Sequence, residues 1–342
     1  MNRFLKLGLI AVSLTFMFSC GGSSDKDVVN VYTHRHYKAD DELFSKFTKE
    51  TGIKVNIVNA SADELIQRLE TEGKDSKADI LITVDAGRLY RAQSKDLLQP
   101  ISSDILDANI PERFREKDGY WYGMTYRARI IAYAKDRVNP NDIKNYEDLA
   151  DPKWKGKVLI RSSENIYNQS LLASIIVADG NEKAANWVEG VVANMARNPK
   201  GSDRDQVKAV ASGEGDIAVL NTYYIGLMLN SEIEEERKAG ESVGIIFPNQ
   251  DGRGTHINIS GIGVTKYAPN KENAIKLMEF LSDENAQQTL ANLNYEYPIN
   301  PNATKAKILK TWGDFKADTV ELSKLGEYNS EAVKIFDKAG WK

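Results

Sequence analysis

The sequence predicts an α/β protein of two lobes with a ligand cleft between them. Its first part alternates strand-like apolar runs with amphipathic helical segments, at 28–32, 40–50, 54–58, 62–72 and 79–84. An order of strand, helix, strand, helix, strand is typical of a parallel α/β sheet. The chain of 342 residues also exceeds what one hydrophobic core usually serves, which favours two lobes.

A second series of α/β elements occupies the middle of the chain. We expect strands at 130–133, 157–161, 216–220 and 243–247, and helices at 168–177 and 182–195. A long strand at 255–265 would then return the chain to the first lobe, where helices within 271–292 would pack.

The positions at which the chain passes from one series of elements to the other define the predicted lobes. The N-terminal lobe would comprise residues 28–127 plus 256–301, and the C-terminal lobe residues 128–255 plus 302–342. Strands that cross between the lobes would act as hinges. The cleft between two such lobes is where small ligands are usually buried.

The N-terminus has the pattern of an export signal. Arg3 and Lys6 precede an apolar run at 7–18, which is too short to span a bilayer. The run ends at Cys20 in a segment that resembles the lipobox of bacterial lipoproteins. We therefore expect a signal peptide over 1–20, a lipid on Cys20 and a flexible tether over 21–27; the alternative is an ordinary secretory signal with an incidental cysteine.

Composition excludes several classes of function. Cys20 is the single cysteine, so disulfides, zinc knuckles and a cysteine nucleophile are excluded from the mature protein. The 45 Lys and Arg against 49 Asp and Glu make nucleic acid an unfavourable partner. Only three histidines occur, His34, His36 and His256, and none belongs to a recognisable catalytic motif.

Tyrosine is the chemically functional residue type whose number and positions are unusual in this chain. Among the fifteen tyrosines, Tyr37, Tyr167 and the doublet Tyr223-Tyr224 follow predicted strands. The carboxyl ends of strands in α/β sheets face the ligand crevice. Taken one at a time, each tyrosine is better explained as a packing aromatic than as a ligand.

The doublet imposes a condition on the local structure. Adjacent side chains on a regular strand point to opposite faces, so Tyr223 and Tyr224 can share a ligand only where the strand has ended. We place them at the start of a helix, with Asn221 or Thr222 as the N-cap.

Several ordered blocks between about Val29 and Lys342 resemble those of one known family. They are Arg35-His36-Tyr37, Thr83-Val84-Asp85, Asp151-Pro152-Lys153-Trp154-Lys155-Gly156-Lys157, Arg161-Ser162-Ser163, Tyr167-Asn168-Gln169-Ser170, Asn221-Thr222-Tyr223-Tyr224, Phe247-Pro248-Asn249-Gln250, Gly252-Arg253-Gly254-Thr255-His256 and Asn294-Tyr295-Glu296-Tyr297-Pro298. The chain thereby resembles the ferric-iron-binding proteins of ABC importers, particularly their cyanobacterial-type Fut branch. This resemblance implies a periplasmic-binding-protein fold of type II.

The resemblance also implies a ligand set for iron. It consists of one histidine and four tyrosines, which correspond here to His36, Tyr37, Tyr167, Tyr223 and Tyr224. Ferric iron prefers anionic oxygen, and a phenolate supplies it once the metal displaces the proton.

Cations near the ligands would complete this site. We expect Arg127 and Arg129 to offset the negative charge of the phenolates; their alternative interpretation is as solvated surface arginines. Some Fut-type relatives carry an arginine shortly after the doublet, where this chain has Leu227 and Met228. We expect His34 and His256 to be structural.

The expected protein is a lipid-anchored, monomeric solute-binding protein of the periplasm or cell surface. It would carry iron, as Fe³⁺ with Fe²⁺ left open, to the permease and ATPase subunits of an ABC importer. Two alternatives stay open. One is the same fold with an organic ligand (thiamine, a polyamine or a phosphonate) in a tyrosine cage; the other is an exported hydrolase built on carboxylates.

Overall fold

The computed structural model describes residues 27–35 and 37–342. The predicted signal peptide, Cys20, the tether up to residue 26 and His36 lie outside the described residues. Within the described part of the chain, no helix combines the length and the apolar character needed to cross a membrane.

Strands and helices alternate along most of the described chain. The strands are β1 (Val28–Thr33), β2 (Lys54–Asn59), β3 (Ile80–Val84), β4 (Tyr122–Ala134), β5 (Val158–Leu159), β6 (Ile217–Asn221), β7 (Val243–Ile246), β8 (Ile257–Val264) and β9 (Tyr297–Pro298). The helices are α1 (Lys38–Thr51), α2 (Ala62–Glu72), α3 (Ala86–Ser94), α4 (Asp104–Asn109), α5 (Ile166–Asp179), α6 (Asn181–Asn194), α7 (Asp203–Ala211), α8 (Thr222–Leu229), α9 (Glu234–Ser242), α10 (Lys271–Ser282), α11 (Glu284–Asn294), α12 (Lys307–Thr311), α13 (Leu322–Glu327) and α14 (Asn329–Ala339).

The sheet is mixed. Its main path runs β2-β1-β3-β8-β4-β6-β5, and β7 and β9 both pair with β4. The parallel arrangement predicted for the first three strands is confirmed, since β1 pairs in parallel with both β2 and β3. Strand β8 runs antiparallel to β3 and to β4, because it carries the chain back from the second group of strands.

Strand β4 belongs to two groups of strands. Its first half, Tyr122 to Ala128, pairs with β8, and its second half, Arg129 to Tyr133, pairs with β6. We call β1, β2, β3, β8 and β9 the first strand group, and β5, β6 and β7 the second. The lobe boundaries proposed from the sequence stay a prediction, and this strand is where the two groups meet.

Three predicted strands need correction, and the one expected at 157–161 is reduced to β5 at Val158–Leu159. The strand expected at 130–133 begins instead at Tyr122, because Arg127 and Arg129, which interrupt the apolar pattern, are buried within β4 at 1% exposure each. The strand expected at 255–265 is shorter, since β8 covers Ile257–Val264 and all eight of its residues are buried.

Candidate metal site

Tyr223 and Tyr224 lie in the first turn of helix α8, as the sequence predicts. Asn221 ends strand β6 and occupies the N-cap position in an extended conformation. The chain leaves the strand at this point, so adjacent side chains no longer alternate between two faces. The two tyrosine rings are 4.2 Å apart between centroids.

Tyr167 reaches the same place from another helix. It lies in the first turn of α5, where the N-cap Asn165 accepts a hydrogen bond from the Tyr167 amide. The hydroxyl oxygens of Tyr167 and Tyr223 are 3.3 Å apart. Two helix starts that follow strands β5 and β6 therefore bring phenol groups into direct contact.

Tyr37 approaches from the first strand group. It stands at the N-terminus of α1, in the short connection that follows β1. Its hydroxyl has a pKa raised to about 12: burial is the main cause, the nearby Tyr167 and Glu296 add to it, and Arg35 and a hydrogen bond with Tyr223 act in the opposite direction. The two strand groups are thus joined through a contact between tyrosine hydroxyls.

The same causes act on the doublet. Burial raises the pKa of Tyr223 well above its ordinary value, and the neighbouring Tyr167, Tyr224 and Tyr37 raise it further. Burial and proximity to Tyr167 raise the pKa of Tyr224 as well. These phenols are neutral at physiological pH, and only a strong adjacent cation would ionise them.

Arg129 is buried beneath this cluster of tyrosines. Its guanidinium carbon is 5.7 Å from the centroid of the Tyr167 ring. It donates to Asp203 at 3.2 Å, to Asn221 at 3.3 Å and to Asn168 at 2.7 Å. Its charge is therefore largely shared with a buried carboxylate.

Arg127 is less completely paired. It is also buried, with its guanidinium carbon 5.6 Å from the Tyr167 ring centroid. Its Nη1 donates to Ser260 Oγ at 3.2 Å. Among the described residues, no hydrogen-bond partner faces its Nε or Nη2. Its positive charge is thus available to a negative group near Tyr167.

A buried ion-pair network links the tyrosines through Arg35 and Glu296, which sequence reasoning missed. Arg35 pairs with Asp40 at 3.0 Å and with Glu296 at 3.2 Å, and lies 5.0 Å from the Tyr37 ring centroid. Ser260 Oγ accepts from both Arg35 and Arg127 and donates to Glu296. Both residues belong to sequence blocks shared with the resembled family, but no local pattern indicates their pairing.

Asp85 connects the N-terminus of α3 with helix α5. Its carboxylate accepts from the Gly87 amide, from Ser170 Oγ at 2.7 Å and from Asn258 Nδ2 at 2.9 Å. The residue is fully buried and has a φ of 81°. Such a backbone persists only where surrounding contacts determine it, and here those contacts come from α3, α5 and β8.

His256 lines a small pocket together with Tyr167, Arg127 and Arg129, whereas His34 lies near Asp63. His34 is close enough to Asp63 to contribute to the lowered pKa of that carboxyl. His256 is buried, and its backbone carbonyl accepts from the Arg129 amide at 2.9 Å. His36 lies outside the described residues, so its role as a ligand stays a prediction.

Metal ligands of the usual acidic kind are not assembled elsewhere. Over residues 27–35 and 37–342, no group of three or more His, Cys, Asp or Glu side chains could hold a metal ion.

The fold and the buried polar cluster between its two strand groups define a two-lobed solute-binding protein of α/β class. Residues 42–317 match the family described as bacterial extracellular solute-binding protein. The chain is 49% identical over 351 residues to iron uptake protein A1 of Synechocystis sp., covering 99% of this chain and 98% of that protein. It belongs to the ferric-iron-binding branch of this family, which confirms the resemblance inferred from the sequence.

Solved structures of relatives share the whole fold. A Trichodesmium protein (IdiA, FutA) in complex with iron and citrate ligands matches with a TM-score of 0.89 and 48% identity, over 92% of this chain and 100% of that one. A ferric binding protein from Campylobacter jejuni matches with a TM-score of 0.88 and 49% identity, over the same shares. The predicted two-lobed periplasmic-binding-protein fold is thereby confirmed.

Proposed function

We propose that this protein binds ferric iron between its lobes, carries it to the permease and ATPase of an ABC importer, and catalyses no reaction. The proposed ligands are four phenolates and one imidazole, from Tyr37, Tyr167, Tyr223, Tyr224 and His36. The relatives named for iron uptake and ferric binding support the choice of cargo.

The convergence of phenol groups from three separate segments is the observation that carries the proposal. Tyr37 follows β1, Tyr167 begins α5, and the doublet begins α8, yet they interact closely enough to shift each other's pKa values. Burying several hydroxyl groups together has a desolvation cost. A hard trivalent cation would offset that cost by binding their oxygens as phenolates.

The buried arginines fit the charge of this site. Four phenolates and a neutral imidazole around Fe³⁺ carry a net charge of about −1. Arg127, whose Nε and Nη2 have no partner among the described residues, is the better placed of the two arginines to offset it. Arg129 would act more weakly, because Asp203 already balances it.

We further propose the cellular setting from the N-terminal sequence. Export would remove the signal peptide up to the residue before Cys20, a lipid on Cys20 would hold the protein at the membrane, and residues 21–27 would serve as the tether. The protein would act as a monomer in the periplasm or at the cell surface. Its lobes, with the boundaries given above, would close on iron like a hinge.

Titration with ferric citrate tests the function. Iron-tyrosinate complexes absorb visible light, so the purified protein should turn orange to red on binding. Replacing both Tyr223→Phe and Tyr224→Phe removes two of the proposed ligand oxygens while keeping the rings. We expect iron affinity to fall by at least 100-fold, about 2.7 kcal/mol, with most of the colour lost.

A matched control is available within the chain. Tyr126 and Tyr297 form another stacked pair, with ring centroids 5.0 Å apart, and neither belongs to the proposed ligand set. Tyr126→Phe with Tyr297→Phe should leave affinity and colour unchanged. Unchanged iron binding in the Tyr223/Tyr224 double variant would show that the ligand assignment is wrong.

A further inference from the structure

A contact between helix α8 and Tyr295 joins the two strand groups beside the doublet. Gly226 lies within α8, one turn after the tyrosines at its start. Tyr295 follows α11 and precedes β9, which pairs with the first half of β4. The two residues therefore belong to opposite sides of the cleft.

The approach at this contact leaves no room for a side chain on residue 226. A Cβ placed on Gly226 would be 2.6 Å from Tyr295 Cβ and 2.8 Å from Tyr295 Cγ. Rotation of the tyrosine about χ1 would not relieve the first of these distances, because Cβ is fixed to the backbone. Only a shift of one backbone relative to the other would do so.

Tyr295 is held firmly on its own side. It has a left-handed backbone with φ 55°, and its amide donates to Ala291 at 3.0 Å. The adjacent Glu296 is buried and pairs with Arg35, whose guanidinium lies over the Tyr37 ring. The position of Tyr295 is thus mechanically linked to that of Tyr37.

Gly226 lowers the stability of helix α8. A glycine inside a helix destabilises it relative to alanine. Its backbone φ does not require glycine, since the positive-φ glycines are at other positions. The close approach of Tyr295 is the feature of the structure that accounts for a missing side chain here.

We propose that Gly226 and Tyr295 form the contact at which the lobes meet in the closed form, and that the bare backbone at 226 sets how near Tyr223 and Tyr224 come to Tyr37. Both are positioning residues, since neither is a proposed ligand. This inference rests on the proposed function, because closure matters through the iron site it completes.

Gly226→Ala tests the contact through two measurements, iron affinity and thermal stability, which should change in opposite directions. The added methyl group should hold the lobes apart and weaken iron binding by at least tenfold, with a smaller decrease in radius of gyration on iron addition. The iron-free variant should unfold at the same or a higher temperature, because alanine favours the helix. A purely structural defect would lower both stability and affinity.

Two further variants complete the experiment. Gly240→Ala places the same change in the neighbouring helix α9. Its added Cβ would lie 3.3 Å from Leu229 and Met228 of helix α8, on the same side of the cleft. This variant should leave iron affinity within twofold of the wild type. Adding Tyr295→Gly to Gly226→Ala removes the clashing Cβ and suits the left-handed backbone. We expect this double variant to recover most of the lost affinity.

The outcomes separate this inference from the function. If the wild-type protein binds iron and the Gly226→Ala variant binds it equally well, the inference about the contact is wrong and the proposed function stands. A loss of affinity that the double variant does not restore would also show that the inference is wrong. If the wild-type protein binds no iron, the proposed function is wrong and the inference fails with it.

Discussion

Single buried residues decide the electrostatics of this protein more than its overall charge does. Burial raises the pKa of Tyr37 and Tyr223 and so keeps these phenols neutral in the absence of metal. Burial has the opposite effect on the pKa of a basic side chain. It lowers the pKa of His256 to about 3, with Arg129, Arg253 and Arg127 adding to the effect.

The lowered pKa of His256 predicts how stability depends on pH. The unfolded chain takes up a proton near pH 6.5, whereas the folded protein does so only near pH 3. Between these values the unfolded state binds more protons, so stability falls as pH drops below 6.5. His256→Gln cannot titrate and should lose less stability over this window.

Denaturant unfolding of the iron-free protein at a series of pH values from above 6.5 down toward pH 4 would measure this effect. The expected result is a shallower pH dependence for His256→Gln than for the wild type. Equal slopes for the two proteins would show that another group dominates.

Individual elements position the site through their ends. Helices α5 and α8 carry proposed ligands in their first turns, and Asp85, the N-cap of α3, accepts a hydrogen bond from Ser170 of α5. These helix starts are near β4 and β8, where the two strand groups meet. The site is therefore held by polar contacts between elements as well as by the apolar core.

The contact between α3 and α5 predicts a difference between two serines of the same helix. Ser170 and Ser174 are both fully buried, but Ser170 Oγ donates to Asp85 at 2.7 Å, whereas Ser174 Oγ donates to the Leu171 carbonyl within its own helix. Ser170→Ala leaves a buried carboxylate short of one donor. It should lower the free energy of unfolding by about 1–3 kcal/mol.

Ser174→Ala is the matched control, because its acceptor keeps its place in the helix. We expect its effect on stability to be well below 1 kcal/mol. Urea denaturation of the iron-free variants provides the comparison. Similar losses for both serines would contradict a special role for the link to Asp85.

At the scale of the whole molecule, two strand groups share a long strand and meet around a cluster of phenols. β4 pairs with β8 along one half and with β6 along the other. A contact between Tyr37 and Tyr223 then spans the cleft. This arrangement places the phenols where the two strand groups meet.

The proposed membrane anchor makes a prediction at this scale too. Cys20→Ala should move the protein from the membrane fraction to the soluble fraction when it is expressed with its own signal. Because Cys20 is proposed only as an anchor, the purified variant should bind iron with unchanged affinity. Continued membrane association of Cys20→Ala would show that the anchor lies elsewhere.

The sequence by itself determined the features that depend on neighbouring residues. The helix over Ala62–Glu72 is bounded as predicted, and α8 begins at Thr222, after Asn221. Hydrophobic periodicity and capping are local properties, so they are visible in a short window. The ordered blocks also identified the family, and the family in turn indicated which tyrosines are the candidate ligands.

Only the tertiary structure decided which distant residues meet. Arg35 pairs with Glu296 across 261 positions of sequence, and Tyr295 packs against Gly226. The sequence pattern likewise left open whether Arg127 and Arg129 are solvated, and the structure buries both. Pairings of this kind follow from strand order and lobe closure, which set distances between residues that no local pattern connects.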